Sequence, residues 1–111
     1  MMEKCTWKAT LKPGMREEYI RRHDALWPEM AETLAAAGIR NYTIWRCGDV
    51  LFGYYECEKG AAYAAKVQAE SPVVDRWNDY MRDVMTMDFD PETGTAVALE
   101  NVFRFRVDEA H

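Results

Sequence analysis

The first segment of the chain alternates strictly between apolar and polar side chains. Its apolar positions are Cys5, Trp7, Ala9 and Leu11. A period of two over residues 4–11 is typical of a β-strand with one buried face. Pro13-Gly14 then interrupts the alternation, as expected at a turn. We therefore predict that a half-buried strand opens the fold.

The next segment has the spacing of a helix and then meets a proline. Its inner stripe consists of Met15, Tyr19, His23 and Leu26. We predict a helix over residues 15–23, with a break around residues 24–27, because Pro28 disfavours helical geometry at the residue before it. Pro28 suits the first turn of a second helix, and Gly38 is expected to end that helix as its C-terminal cap.

Two further alternating segments predict a β-hairpin. Residues 39–47 and 50–57 flank the short turn Gly48-Asp49, which favours antiparallel pairing. Neither face of this hairpin is purely apolar, so we expect helices to cover one face and another surface to cover the other. The candidates for that second face include Trp45, Tyr42 and Phe52.

The second half of the chain predicts two helices. The alanine-rich residues 61–68 form the first, with Tyr63 and Val67 expected to point inward. The second begins at Ser71-Pro72 and is predicted to run to about Met85, since serine suits the N-cap and proline the first turn. Its buried stripe comprises Val73, Val74, Trp77, Tyr80, Met81 and Val84.

The C-terminal region predicts a loop and a closing strand. Residues 88–94 are acidic and rich in turn formers, so we expect a solvated loop and not a metal site. Residues 96–107 alternate again and predict a long final strand. His111 lies in a polar tail that we expect to be disordered.

The predicted order of elements defines a fold class. Strand, broken helix, strand, strand, helix pair, strand is the β-α-β-β-α-β plan of the ferredoxin-like α+β fold, and residues 1–111 are enough for one such domain. In this plan the helices cover one face of an antiparallel sheet. We expect a second copy of the chain to cover the other face, giving a homodimer.

Composition excludes some partners. The chain has 14 Lys and Arg residues against 19 Asp and Glu residues, a net charge of -5, whereas nucleic-acid binding favours a basic surface. No segment approaches the ~20 apolar residues of a membrane span, and the N-terminus lacks a signal-peptide pattern. Cys5, Cys47 and Cys57 show no C-x-x-C spacing, which favours reduced thiols in a cytoplasmic protein over disulfides or zinc.

The candidate chemistry lies on the first helix. Tyr19 and His23 are four residues apart and share one helical face, with Cβ atoms roughly 6 Å apart. A histidine exchanges protons near neutrality, and a phenol both donates and accepts hydrogen bonds. The pair suits acid–base chemistry on a hydroxylated substrate. The alternative is that both side chains simply pack in the core.

Three sequence strings together resemble the L-rhamnose mutarotase family. They are Glu18-Tyr19-x-x-Arg22-His23-x-x-Leu26-Trp27-Pro28-Glu29, then Asn41-Tyr42, then Asp75-Arg76-Trp77-x-x-Tyr80-Met81-x-x-Val84-Met85. The resemblance runs from the first predicted strand to the last. It implies a ferredoxin-like fold, a dimeric α/β-barrel assembly formed through the sheets, a monosaccharide substrate, and no cofactor or metal.

The resemblance also implies roles for individual residues. His23 matches the family's proton donor, while Tyr19, Tyr42 and Trp77 match its sugar-binding positions. The family commonly has two consecutive tryptophans, but here Asn78 follows Trp77. An amide that can bond to a hydroxyl thus replaces an apolar platform, and we expect sugar preference to depend on Asn78. The resemblance favours L-rhamnose, with L-fucose or another aldose as alternatives.

The implied reaction explains these residue types. Mutarotation opens a pyranose ring, rotates the aldehyde and closes the ring from the other side, so it needs a proton at the ring oxygen and the removal of one from the anomeric hydroxyl. Two other classes of function stay open on this scaffold. One is a cofactor-free monooxygenase of small aromatic substrates, and the other is a non-catalytic sugar-binding module.

Overall fold

The computed structural model of the chain describes residues 2–88, 91–92, 97 and 99–105. Its elements are β1 (Glu3–Leu11), α1 (Arg16–Asp24), α2 (Pro28–Ala36), β2 (Ile39–Cys47), β3 (Val50–Cys57), α3 (Ala61–Glu70), α4 (Pro72–Met81) and β4 (Met85–Met87). The four strands form one sheet in the order β2-β3-β1-β4, and each neighbouring pair is antiparallel. The predicted ferredoxin-like α+β fold is confirmed.

The predicted helix break and hairpin are confirmed. Helix α1 ends at Asp24 and α2 begins at Pro28, with Trp27 extended between them at φ -61° and ψ 134°. Proline has no N–H to donate, and its fixed φ suits the first helical position. Strands β2 and β3 have the predicted bounds on both sides of Gly48, whose φ of +61° favours glycine in the turn.

The prediction of a long final strand over residues 96–107 is wrong where the structure describes it. Residues 97 and 99–105 form no strand, and 96, 98, 106–107 and 111 lie outside the described residues. The fourth strand is instead β4, which pairs with β1 opposite Ala9–Leu11. A strand of three residues is too short to display an alternating pattern.

The position of β4 also shortens the preceding helix. Helix α4 ends at Met81, and not near Met85 as predicted. Val84 continues the helical stripe of buried residues although it lies in the turn after the helix, with 0% of its surface exposed. The spacing of apolar residues therefore predicts one more helical turn than the structure has, because Val84 is buried for another reason.

Tyr42, one of the candidates for the open face of the sheet, does not lie there. Arg40 pairs with Glu56 and Thr43 pairs with Tyr54, so β2 has one more residue than β3 in this interval. Asn41 occupies this β-bulge with a positive φ of 51°, a conformation that asparagine tolerates. A bulge shifts the alternation by one residue, and Tyr42 consequently faces the helices.

One smaller expectation is corrected, whereas the predicted solvated loop is exposed at residues 91–92. Tyr63 is 42% exposed, and its neighbour Ala64 is the buried residue of α3. The acidic loop is fixed where it begins, because the Asp88 carboxylate accepts hydrogen bonds from Lys8 Nζ at 2.6 Å and Thr10 Oγ1 at 3.1 Å. These contacts tie the segment after β4 to β1.

The main core lies between the helices and one face of the sheet. Its buried members are Ala9, Leu11, Tyr19, Met30, Leu51, Val74, Trp77, Met81 and Val84. The other face carries an exposed aromatic, since Trp45 is 67% exposed. The two sides of the sheet therefore have different surroundings.

Loss of the Ser71 cap should destabilise the fold. Ser71 Oγ accepts a hydrogen bond from the backbone N–H of Val74 at 3.3 Å, which satisfies one free donor of α4. Ser71→Ala should lower the free energy of unfolding by about 1 kcal/mol, whereas Ser71→Gly should cost only a few tenths. Urea denaturation followed by circular dichroism measures both. Equal stability of the alanine variant and the wild type would contradict the cap.

Candidate active site

A single groove between the helices and the sheet contains all the predicted site residues. Tyr19, His23, Tyr42, Trp77 and Asn78 all line it. The groove has a volume of about 1320 Å³, above the ~300–1,000 Å³ usual for a small-molecule pocket. It therefore has room for a monosaccharide and extends beyond the histidine.

Aromatic rings surround His23. Its ring centroid lies 4.3 Å from that of Tyr19 and 5.4 Å from that of Trp77, which meets it edge-on at 89°. Trp77 in turn packs edge-on against Trp27 with ring centroids 5.1 Å apart. Because Trp27 lies in the break between α1 and α2, that break supports the side of the groove where His23 lies.

The hydrogen bonding of His23 fixes its tautomer. Nδ1 lies 3.0 Å from the backbone carbonyl oxygen of Tyr19. A carbonyl only accepts, so Nδ1 carries the proton. In the neutral ring Nε2 is then an unprotonated acceptor. Burial lowers the pKa of His23 below its ordinary value, although the bond to Tyr19 and the nearby Asp24 act in the opposite direction. The neutral ring is thus the main form at neutral pH.

The two tyrosines of the groove are neutral phenols. Burial raises the pKa of both Tyr19 and Tyr42 well above the ordinary value of a phenol. The two side chains also interact electrostatically, which raises the pKa of Tyr19 further. Each can therefore donate a hydrogen bond at any physiological pH.

Arg22 ties the histidine-bearing helix to the end of α4. Its guanidinium donates to Glu18 at 2.6 Å, to Asp83 at 2.8 Å and to the backbone oxygen of Tyr80 at 2.6 Å. It also lies 4.4 Å from the centre of the Tyr80 ring, within the range of a cation–π contact. The side chain of Arg22 is 11% exposed. These contacts hold the helix that carries His23 against the helix that carries Trp77.

Trp7 is a groove residue that the sequence did not reveal as one. It lines the groove, and its indole N–H donates to the Tyr42 hydroxyl at 2.8 Å. In the sequence it has the pattern of an ordinary inward residue of a strand. The role of Trp7 becomes visible only when the strand register is known. Trp7 lies directly opposite Gly53, and only glycine leaves room for a side chain above it.

The described part of the chain restricts other kinds of site. Within it, no three His, Cys, Asp or Glu side chains come together as metal ligands. None of its helices has the length and apolar character that a membrane crossing requires.

The fold and the groove together define a class of protein. It is a ferredoxin-like α+β protein with a neutral histidine and aromatic rings in one groove. The sequence model of the L-rhamnose mutarotase family matches residues 4–105. The chain belongs to the L-rhamnose mutarotase family, and mutarotases are carbohydrate isomerases.

Individual relatives agree with this assignment. The L-rhamnose mutarotase of Listeria monocytogenes EGD-e is 41% identical over 104 residues, which cover 92% of this chain and 97% of that protein. The L-rhamnose mutarotase of Burkholderia cenocepacia is 42% identical over 84 residues, 76% of this chain and 81% of its own. The crystal structure of an L-rhamnose mutarotase from Formosa agariphila is similar with a TM-score of 0.75 and 29% identity, covering 94% and 99% of the two chains.

The pKa of His23 should be below that of a free histidine. Titration of its Cε1–H signal by NMR should give a midpoint below about 6.5, because burial penalises the imidazolium. His111 gives the other histidine signal, and His111→Gln assigns the two. A midpoint at or above the free value would contradict the buried, neutral ring.

Proposed function

We propose that this protein is an aldose mutarotase that interconverts the α and β anomers of L-rhamnose. The observation that carries the proposal is the neutral His23, whose Nδ1 is held by the Tyr19 carbonyl at 3.0 Å within the shared groove. Its free Nε2 can accept a proton from a sugar hydroxyl. The names of the relatives support the choice of sugar.

His23 carries one proton between two neighbouring oxygens of the sugar. Nε2 takes the proton of the anomeric hydroxyl as the C1 carbonyl forms and the bond from C1 to the ring oxygen breaks. The imidazolium then gives the same proton to the ring oxygen. Rotation about C1–C2 and the reverse steps close the ring as the other anomer. Both oxygens are attached to C1, so one nitrogen can serve both, first as base and then as acid.

The remaining groove residues bind the sugar. The exposed part of Trp77, which is only 7% of its surface, offers an apolar contact to sugar C–H groups. The Tyr19 and Tyr42 hydroxyls donate hydrogen bonds to oxygen atoms of the sugar. Asn78 is exposed and lines the same groove, so its amide can bond to a hydroxyl. This residue favours L-fucose or another aldose as the second candidate substrate.

We also propose that the protein is a homodimer formed through the open face of the sheet. Trp45 on this face is 67% exposed. The C-terminal segment crosses to β1, where Leu99 bonds through its backbone N–H to Thr6 Oγ1 at 3.0 Å. This segment exposes Val102, Phe103 and Phe105, each by more than 70%. Exposed large apolar side chains in this number are typical of an interface.

A cytoplasmic location fits the cysteines. Cys5, Cys47 and Cys57 are free thiols, and the cytoplasm keeps thiols reduced. The sulfur atoms of Cys5 and Cys57 are 3.2 Å apart, so a reducing compartment protects this contact from oxidation.

The activity is tested by NMR saturation transfer between anomeric protons. The protein should accelerate exchange for L-rhamnose over buffer, with L-fucose and several D-aldoses measured beside it. His23→Asn should remove about 10²–10⁴-fold of this acceleration, the usual contribution of a general acid–base group. The rate should be maximal above the folded-state pKa of His23 and fall as pH decreases through it, because the neutral ring starts the cycle.

The controls distinguish the alternatives. If exchange with every sugar equals that in buffer while a sugar still binds, the protein is a sugar-binding module. If His23→Asn retains full activity, the histidine relay is wrong. If the protein prefers L-fucose to L-rhamnose, Asn78 is the residue expected to cause this change in sugar preference. Asn78→Trp should then restore the preference for L-rhamnose.

The dimer is tested by light scattering after gel filtration. The wild type should have twice the 12.9 kDa mass of one chain. Phe103→Asp should shift the mass toward one chain, because it places a charge in the apolar patch. Tyr63→Asp is the matched control, since Tyr63 is an exposed aromatic on α3. A monomeric wild type would contradict the interface, as would equal effects of the two variants.

A further inference from the structure

The indole of Trp7 spans a strand of the sheet. Trp7 is on β1 and Tyr42 is on β2, with β3 between them. Neighbouring strands lie about 4.8 Å apart, so the two backbones are separated by two strand spacings. The indole N–H nevertheless donates to the Tyr42 hydroxyl at 2.8 Å. The side chain must therefore lie across the surface of β3.

Gly53 provides the space for this crossing. It faces Trp7 directly in the register of β1 and β3. A Cβ atom at position 53 would lie 2.0 Å from Trp7 Cε2 and 2.1 Å from Trp7 Nε1. Such distances are impossible for real atoms, so any other residue at position 53 would displace the indole. The hydrogen bond between Trp7 and Tyr42 depends on this glycine.

The hydrogen bond determines what the Tyr42 hydroxyl can do. An indole N–H only donates, so the phenol oxygen is the acceptor and its own proton points elsewhere. Among the residues that the structure describes, no other hydrogen-bond partner of this hydroxyl is found. Tyr42 and Trp7 both line the groove with His23. The Tyr42 O–H can thus donate a hydrogen bond to a molecule bound in the groove.

We propose that Trp7 is a positioning residue that commits the Tyr42 hydroxyl to donate to the ring oxygen of the sugar. This inference rests on the proposed mutarotase function. The ring oxygen gains negative charge as its bond to C1 breaks, before His23 protonates it. A donor fixed toward it is stronger in the transition state than in the ground state, and it therefore raises kcat more than it lowers KM.

The variants follow from this geometry. Trp7→Phe keeps a six-membered aromatic ring but removes the N–H donor together with the five-membered ring of the indole, and it should lower kcat about tenfold with little change in KM. This is less than the ~10²–10³-fold loss when a direct donor to an oxyanion is removed, which is the loss expected for Tyr42→Phe. Gly53→Ala should resemble Trp7→Phe, because the added methyl group displaces the indole.

A double-mutant cycle separates positioning from general stability. If Trp7 acts through Tyr42, then Trp7→Phe should have no further effect on kcat in the Tyr42→Phe background. A purely structural role would lower kcat by the same factor in both backgrounds and would overturn the proposal. Comparison of Trp7→Phe with Gly53→Ala guards against misfolding, since the phenylalanine variant leaves the backbone of β3 unchanged.

An NMR measurement tests the contact without any activity. Trp7→Phe identifies the indole N–H signal of Trp7 in a ¹⁵N-labelled protein. Tyr42→Phe should shift that signal upfield because the acceptor is lost, whereas Tyr63→Phe, which removes an exposed hydroxyl on α3, should leave it in place. An unmoved signal in Tyr42→Phe would overturn the hydrogen bond. If the wild type catalyses no exchange, the mutarotase proposal fails on its own, and this signal still decides the contact.

Discussion

Burial of the Trp77 indole is the constraint on which the site depends. Only 7% of its surface is exposed, and its ring contacts those of His23, Trp27 and Tyr80. These rings belong to α1, the break before α2, and α4. The packing of one side chain therefore determines how three segments meet. His23 takes its low pKa from the same burial that stabilises the fold, so stability and chemistry share their residues.

A chain of this size separates its tasks by the two faces of the sheet. The helical face holds the core and the groove, where His23 and Tyr42 lie. The open face holds Trp45 and the contact between Thr6 and Leu99. Because side chains alternate along a strand, each strand contributes to both. A substitution on one face of the sheet can therefore leave the packing of the other face unchanged.

The sequence was sufficient for elements with strong local signals. The break before Pro28 and the hairpin around Gly48 follow from backbone rules that hold in any context, and the convergence of Tyr19 and His23 follows from helical spacing. The proximity of Trp77 to them required the family resemblance. The features that the sequence did not show depend on which strands pair in the sheet. Residues 99–105 alternate as a strand does, yet β4 occupies the edge of the sheet beside β1. The contact between Trp7 and Tyr42 was invisible for the same reason, since it depends on which strand lies between them.

The β-bulge at Asn41 has a consequence for comparing relatives. The strand carries two alternations that are out of phase, one before the bulge and one after it. An alignment that opens a gap anywhere else in β2 would assign inward residues to the outward face over part of the strand. Homologous positions in β2 are thus best counted backward from the hairpin turn at Gly48, where the pairing with β3 is regular. Counted this way, position 42 keeps its face in every relative, whereas Ile39 and Arg40, which precede the bulge, are comparable between two chains only if both have the extra residue.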